Sequence, residues 1–226
     1  MDKTLSPASE DYLKTILHLR EEAPESDSGS VTTQAIATRL EVAAPSATAM
    51  IKKLAALDLV RHTPYRGVEL TEAGERIALE VTRHHRLSES FLTRILGLEW
   101  DKAHDEAEKW EHVLSEEVEA RMAALLGDPT HDPHGAPIPT LDGKMARESG
   151  RPLGEMEAGT RALIKRVSDE DASVLRHLQT LGLVPGARVE ILRAERAEGV
   201  MQIRVDGQEH TLGMAPARAV VAQEIG

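Results

Sequence analysis

VTTQAIATRLEVAAPSATAMIKKLAALDLV, residues 31 to 60, decides how the first third of this chain folds. Apolar residues return every three or four positions in two blocks, Ile36 and Leu40, then Ala47, Met50, Ile51, Leu54 and Leu57, which predicts two short amphipathic helices. The first begins at Thr32 or Thr33. After a turn of about four residues, Pro45 opens the second, where its missing N–H costs nothing. The outer face of that second helix carries Pro45, Ser46, Thr48, Ala49, Lys52 and Lys53, small and polar at first and then basic. This is the helix-turn-helix pattern, whose second helix lies in the major groove of double-stranded DNA. Leu59 to Thr63 then reads as a strand, Pro64 to Gly67 as a turn and Val68 to Leu70 as the return strand. A hairpin carrying Arg66 directly after the second helix is a wing, so Arg66 joins the expected DNA contacts.

Upstream, Ser6-Pro7 starts a helix with Tyr12, Leu13, Ile16, Leu17 and Leu19 on one side, ending near Glu22, and Asp11 lies in its first turns. Ala23 to Ser30 reads as a loop. Downstream, Thr71 caps a helix from Glu72 to about Leu96, which Gly97 ends; Asp101 is expected to cap the next, running to Leu126. His85 and Glu89 are four apart on the first of these. His104, Glu108 and His112 keep the same interval on the second, with Glu111 beside them. At about 100° per residue the second set shares one ridge, and two such ridges packed face to face offer nitrogen and oxygen donors to a divalent cation. Imidazole nitrogen suits first-row transition metals, and carboxylate oxygen shifts the preference toward harder ions such as manganese. A solvated face laced with salt bridges is the plainer alternative, and it accounts for Glu106, Lys109, Glu116 and Glu117. Leu87, Phe91, Leu92, Ile95 and Leu96 offer more apolar surface than one chain easily covers, which points to a homodimer.

From Gly127 to Gly154 five prolines and five glycines make a long connection, with His131 and His134 expected in solvent. Beyond it Ala162 to Ile164, Arg188 to Leu192, Val200 to Val205 and Ala219 to Ala222 read as short strands around a helix from Asp171 to Leu181. The expected fold is therefore mostly α with a small β domain: a winged helix-turn-helix over 1–72, a helical domain over 73–140, a linker over 141–158 and a small β-barrel over 159–226.

The formal net charge of −11 argues against nucleic-acid binding through overall charge, but the distribution is uneven. Lys52, Lys53, Arg61 and Arg66 outnumber Asp58 between Ala44 and Gly67, whereas nine acids face Lys102 and Lys109 between Glu99 and Glu119. No cysteine is present, which excludes disulfides, thiolate zinc sites and iron–sulfur clusters. No apolar run reaches bilayer length and no signal segment opens the chain, so a cytosolic protein without membrane contact is expected. No H-E-x-x-H and no paired Glu-x-x-His occurs, which counts against a metal-dependent enzyme. Few aromatic residues are available to line a pocket for an organic ligand.

EDYLKTI at 10–16, HRLSESFLTRILGL at 85–98, HDEAEKWEHVLSEEVEAR at 104–121 and HGAPIP at 134–139 resemble the diphtheria toxin repressor family of metal-dependent regulators, from Glu10 to the C-terminus. The resemblance implies an SH3-like third domain, a homodimer on a DNA operator, and a metal ion as co-repressor. It assigns one metal site to His85, Glu89 and His104 with third-domain ligands, Asp171 standing where the family has its acid and Glu170 as a near equivalent. It assigns a second, regulatory site to Asp11, Glu108, Glu111 and His112. Asp11 and Glu108 replace the soft sulfur ligands of iron-responsive members, which favours Mn(II), with Fe(II) as the alternative. Three positions depart from the pattern: Lys14 where short manganese-type relatives have a glutamate ligand, Val174 where a glutamine ligand is found, and Ala49 where a glutamine contacts bases.

Overall fold

The computed structural model describes residues 5–22, 30–63, 66–146 and 149–226. The loop expected before Ser30, and Pro64 and Tyr65 of the expected turn, lie outside them. The chain divides into two compact units, Met1–His84 with Pro139–Met145, and His85–Ile138 with Ala146–Gly226.

In the first unit α1 (Pro7–Glu22), α2 (Thr33–Arg39) and α3 (Ala44–Ala56) pack around Leu13, Ile16, Leu17, Ile36, Ile51 and Leu54, all fully buried. Each such side chain contributes about 1.5–3 kcal/mol by leaving water. Thr32 caps α2 by accepting from the Ala35 N–H at 3.1 Å. The hairpin follows as β1 (Val60–Thr63) and β2 (Gly67–Leu70), and Val31 bridges onto Val68 beside it. Thr71 then caps α4 (Glu72–Arg94), accepting from the Gly74 N–H at 3.1 Å. Gly74 is required there, because a Cβ would stand 1.9 Å from the Leu59 carbonyl oxygen.

The second unit holds the rest of α4, then α5 (Trp100–Trp110), α6 (Glu116–Leu126) and a six-stranded antiparallel sheet. The single helix expected from Asp101 to Leu126 is two. Glu111 ends α5, and Ser115 starts α6 by accepting from the Val118 N–H at 3.4 Å. Asp101 does not cap α5, whose cap position is Glu99; it lies inside the first turn. The sheet comprises β3 (Arg151–Pro152), β4 (Arg161–Val167), β5 (Arg188–Glu195), β6 (Val200–Val205), β7 (Gln208–Gly213) and β8 (Val220–Glu224). Their order is β3-β8-β4-β5-β6-β7, so the expected barrel is an open sheet with β3 and β7 at its edges. Bulges at Ile164/Arg166 and Ile191/Arg193 curve it around Leu153, Ile164, Ile191, Ile203 and Leu212. Two helices, α7 (Ala172–Thr180) and α8 (Met214–Arg218), close onto that core.

The connection after Gly127 is better ordered than its prolines suggest. Asp132 folds it back, its Oδ1 accepting from the N–H groups of His134 (2.8 Å) and Ala136 (2.9 Å). The His134 carbonyl then accepts from the Val167 N–H on β4 at 2.9 Å. Gly135, at φ +90°, permits this approach, since a Cβ would meet the Lys165 carbonyl oxygen at 2.0 Å. Of the two histidines expected in solvent, His134 is thereby buried, whereas His131 is exposed. Leu87 and Leu92 are also buried, against Ala123 and Ile138 and against Ala103 and Ala107 respectively. Of the apolar residues expected at an interface, Ile95 and Leu96 are the ones left exposed.

Candidate metal centre

Within the second unit, α4 brings His85 and Glu89 one turn apart and α5 brings His104 against them. His85 Nε2 lies 3.1 Å from Glu89 Oε1 and 3.2 Å from His104 Nδ1, and His104 Nδ1 lies 3.4 Å from Glu89 Oε1. The fourth member is Asp169, on the loop between β4 and α7, whose Oδ2 is 3.4 Å from His104 Nδ1. One donor atom from each of the four falls within 4.8 Å of the others. Asp171, expected in this role, is turned away: its Oδ1 accepts from the N–H groups of Ser173 (2.8 Å) and Val174 (3.2 Å) and caps α7. Position 174 offers only the Val174 backbone to that cap. The side-chain cap fixes Asp171 and frees Asp169 to face the helices.

His134 completes the surroundings. Its Nε2 donates to the Trp100 carbonyl at 3.1 Å, leaving Nδ1 facing Glu89 Oε2 at 3.6 Å and Asp169 Oδ2 at 3.8 Å. Sequence reading missed both His134 and Asp132. The only local signal was the Asp-Pro-His-Gly run itself, since burial depends on the sheet beneath it. Arg86 donates to the Pro137 carbonyl at 2.5 Å and lies 3.8 Å from Asp132, bracing the same loop.

The electrostatics are those of acids held together by imidazolium. Burial opposes charge on His104, yet the Asp169 and Glu89 carboxylates outweigh it and push the ring up to about 11. Against its own burial His134 rises to about 9 beside Glu89. Glu89, fully enclosed, is nevertheless held well below the usual carboxylate range by the three imidazoles. Burial pushes Asp132 up to about 7, with the Glu89 charge adding to it.

The donor set fits a divalent metal. It is nitrogen and oxygen throughout, and among the described residues Glu89 Oε2, His134 Nδ1 and Asp132 Oδ2 are buried without a hydrogen-bond partner. Glu111 and Glu108 stand on the other side of the same imidazole, with Glu111 Oε2 at 2.6 Å and Glu108 Oε1 at 3.8 Å from His85 Nδ1. His112 Nε2 is 3.4 Å from Glu111 Oε1. Because α5 ends at Trp110, Glu111 and His112 belong to the turn after the ridge and not to the ridge itself. Asp11 lies on α1, in the first unit.

On the reading head Pro45, Ser46, Ala49 and Lys52 are exposed on α3, while Thr48 turns its hydroxyl back to the Ala44 carbonyl at 2.9 Å. Lys53 reaches Ser9 of α1, donating at 3.4 Å, so part of its reach is spent inside the unit. Arg66 is exposed at the tip of the hairpin.

Comparison with known proteins agrees along the length of the chain. Residues 4–68 match the iron dependent repressor N-terminal DNA binding domain, 71–140 the iron dependent repressor metal binding and dimerisation domain, and 151–224 the FeoA domain. The iron-dependent repressor IdeR of Mycobacterium tuberculosis is 33% identical over 235 residues, covering 98% of this chain and 99% of its own. The diphtheria toxin repressor of Corynebacterium glutamicum is 36% identical over 204 residues, 85% of this chain and 87% of its own. Among solved structures, a manganese-dependent transcriptional repressor in complex with manganese superposes with a TM-score of 0.89 at 36% identity, covering 96% of this chain and 100% of that one.

Proposed function

Because the chain belongs to the iron-dependent repressor family that includes the diphtheria toxin repressors, we propose that it is a homodimeric repressor activated by Mn(II) that controls metal-homeostasis genes from the cytosol. The observation that carries the metal is the buried cluster of His85, Glu89, His104 and Asp169, which offers two imidazoles and two carboxylates and no sulfur. Hard oxygen with nitrogen suits Mn(II). A structural relative named as a manganese-dependent repressor supports the same choice. Fe(II) is the second reading, favoured by mycobacterial relatives named as iron-dependent repressors.

Bound metal supplies positive charge among the acids. An ion held there would take the place of the protons that the neighbouring carboxylates favour on His104 and His134, and its uptake would release them to solvent. A second ion is assigned on sequence grounds to Asp11, Glu108, Glu111 and His112. Asp11 belongs to the DNA-reading unit and the other three to the second unit, so such an ion would favour one arrangement of reading head and dimer. Lys52 and Arg66 meet phosphates, and Pro45, Ser46, Thr48 and Ala49 face base edges, with Lys53 contributing charge. Exposed Ile95 and Leu96, with Leu98 and Trp110 beside them, form the apolar surface on which a second copy docks. Homologues are repressors, and no enzymatic role is assigned. No helix among the described residues is long and apolar enough to cross a membrane.

The deciding experiment is a DNA-binding titration on a metal-uptake promoter with Mn(II), Fe(II), Zn(II) or no metal. Mn(II) is expected to raise affinity most at low free concentration. Equal binding with and without every ion would overturn the metal-dependent reading, and a stronger response to Fe(II) would select the alternative. Replacing Glu108 with Cys should shift the response toward Fe(II) and Co(II).

A further inference from the structure

Asp169 is the member of the buried cluster that the helices do not supply. It arrives on the β4–α7 loop, where its Oδ2 stands 3.4 Å from His104 Nδ1 and 3.8 Å from His134 Nδ1. A second polar tie joins this part of the chain to α5: the ion pair of Arg176 on α7 with Asp101 on α5, Nη1 to Oδ2 at 2.8 Å. Asp101 is buried, and it precedes His104 by one helical turn. Arg176 follows Asp169 by seven residues, and the intervening chain is stiffened by the Asp171 cap at the start of α7. Neither partner of the pair has another ion-pair partner among the described residues. Next to Asp101, Trp100 packs against the sheet core and stacks on His134 with ring centroids 5.3 Å apart.

We propose that Arg176 is a positioning residue for the metal cluster: its ion pair with Asp101 holds Asp169 within reach of His104 before an ion arrives. The inference rests on the reading of this cluster as a metal site. Arg176 never touches the ion. It acts by raising the fraction of molecules in which the fourth donor is already in place, and apparent affinity scales with that fraction. Because the Arg176 side chain is 58% exposed, solvent limits the pair's worth.

Mn(II) titration calorimetry on the full chain tests this, with Asp11→Ala present throughout so that the second candidate ligand set does not contribute overlapping heats. Arg176→Ala is expected to weaken Mn(II) binding by about three- to fivefold, the upper part of the range of an exposed ion pair. Arg176→Lys should restore most of that loss. In an Asp169→Asn background Arg176→Ala should add less than about a twofold effect, because there is no fourth donor left to position. Melting curves of the ion-free variants check that each is folded. Wild-type affinity in Arg176→Ala overturns the proposal, and so does an undiminished loss in the Asp169→Asn background, since a merely structural pair behaves that way. If Asp169→Asn by itself leaves affinity unchanged, the cluster reading fails at Asp169 and takes the positioning role with it.

Discussion

The residues expected to read DNA lie between Pro45 and Arg66, on one helix and the hairpin that follows it, whereas the residues of the metal cluster are drawn from His85 to Asp169. In the first region each side chain's direction follows from its position on α3 or at a β-turn, and local periodicity is enough to place it. In the second, α4 supplies His85 and Glu89, α5 supplies His104, and the remaining donor, Asp169, comes from the loop between β4 and α7. A local pattern sets which face a residue occupies; only long-range packing sets which other residue it meets. The two regions should therefore respond differently to substitution. Changes at the cluster should propagate among residues distant in sequence, while changes on α3 and the wing should act one contact at a time.

The largest effect is expected at the centre of the cluster. Glu89 is approached by three imidazoles, so Glu89→Gln should lower Mn(II) affinity by at least about a hundredfold, more than loss of an outer-shell partner costs. Calorimetry on the folded variant measures it, and near-wild-type affinity would mean the imidazoles and Asp169 bind no ion together.

Asp11→Ala comes next. The variant should fold, dimerise and keep its ion at His85, Glu89 and His104, yet lose most of the metal-stimulated rise in operator affinity. Unaltered metal dependence in a gel-shift or anisotropy titration would refute the idea that Asp11 helps an ion orient the reading head.

On the reading head the effects are smaller and separable. Lys52→Ala and Arg66→Ala should each weaken binding to all sequences severalfold and reduce the slope of log affinity against log salt by about one. Identical slopes for wild type and both variants would place α3 and the wing outside the groove.

The ion-free cluster should also show in thermal stability. His134 titrates at about 9 in the fold against an ordinary 6.5, and His104 at about 11. A group raised in this way stabilises fully below its unfolded value and loses that contribution as pH rises through the folded value. The melting temperature of the ion-free chain should thus fall from neutral pH through pH 9 and beyond, and saturating Mn(II) should flatten the decline. A melting temperature that rises over this interval would contradict the imidazolium account.

The smallest effect separates two neighbouring acids. Asp171→Ala removes a helix cap and should cost about 1 kcal/mol of stability with Mn(II) affinity unchanged. Loss of affinity there would return Asp171 to the ligand set in place of Asp169.

The helix-turn-helix, its hairpin, and the two helical ridges carrying His85 with Glu89 and His104 with Glu108 were legible in sequence, because apolar spacing of three to four residues and strand alternation report directly on which side of an element is buried, whereas the grouping of His85, Glu89 and His104 came from the family resemblance. Thr71 at a helix start and Gly97 at a helix end were legible for the same local reason. The break at Glu111–Ser115 was not, since Ser115 suits a helix start as well as an exposed helical position. Nor was the choice of Asp169 over Asp171. Both precede α7, and what separates them is that the N–H groups of Ser173 and Val174 claim Asp171 while the docked sheet carries Asp169 to His104. His134 was decided in the same way: Gly135 lets its segment lie against β4, and burial follows from the surface underneath. Sequence by itself determined the helices and hairpin of the first unit and the chemistry that α4 and α5 carry, because those are properties of neighbours along the chain. Tertiary structure alone decided which acids and imidazoles share one buried space, because that depends on how elements far apart in sequence pack, and packing leaves no periodic trace in the residues it brings together.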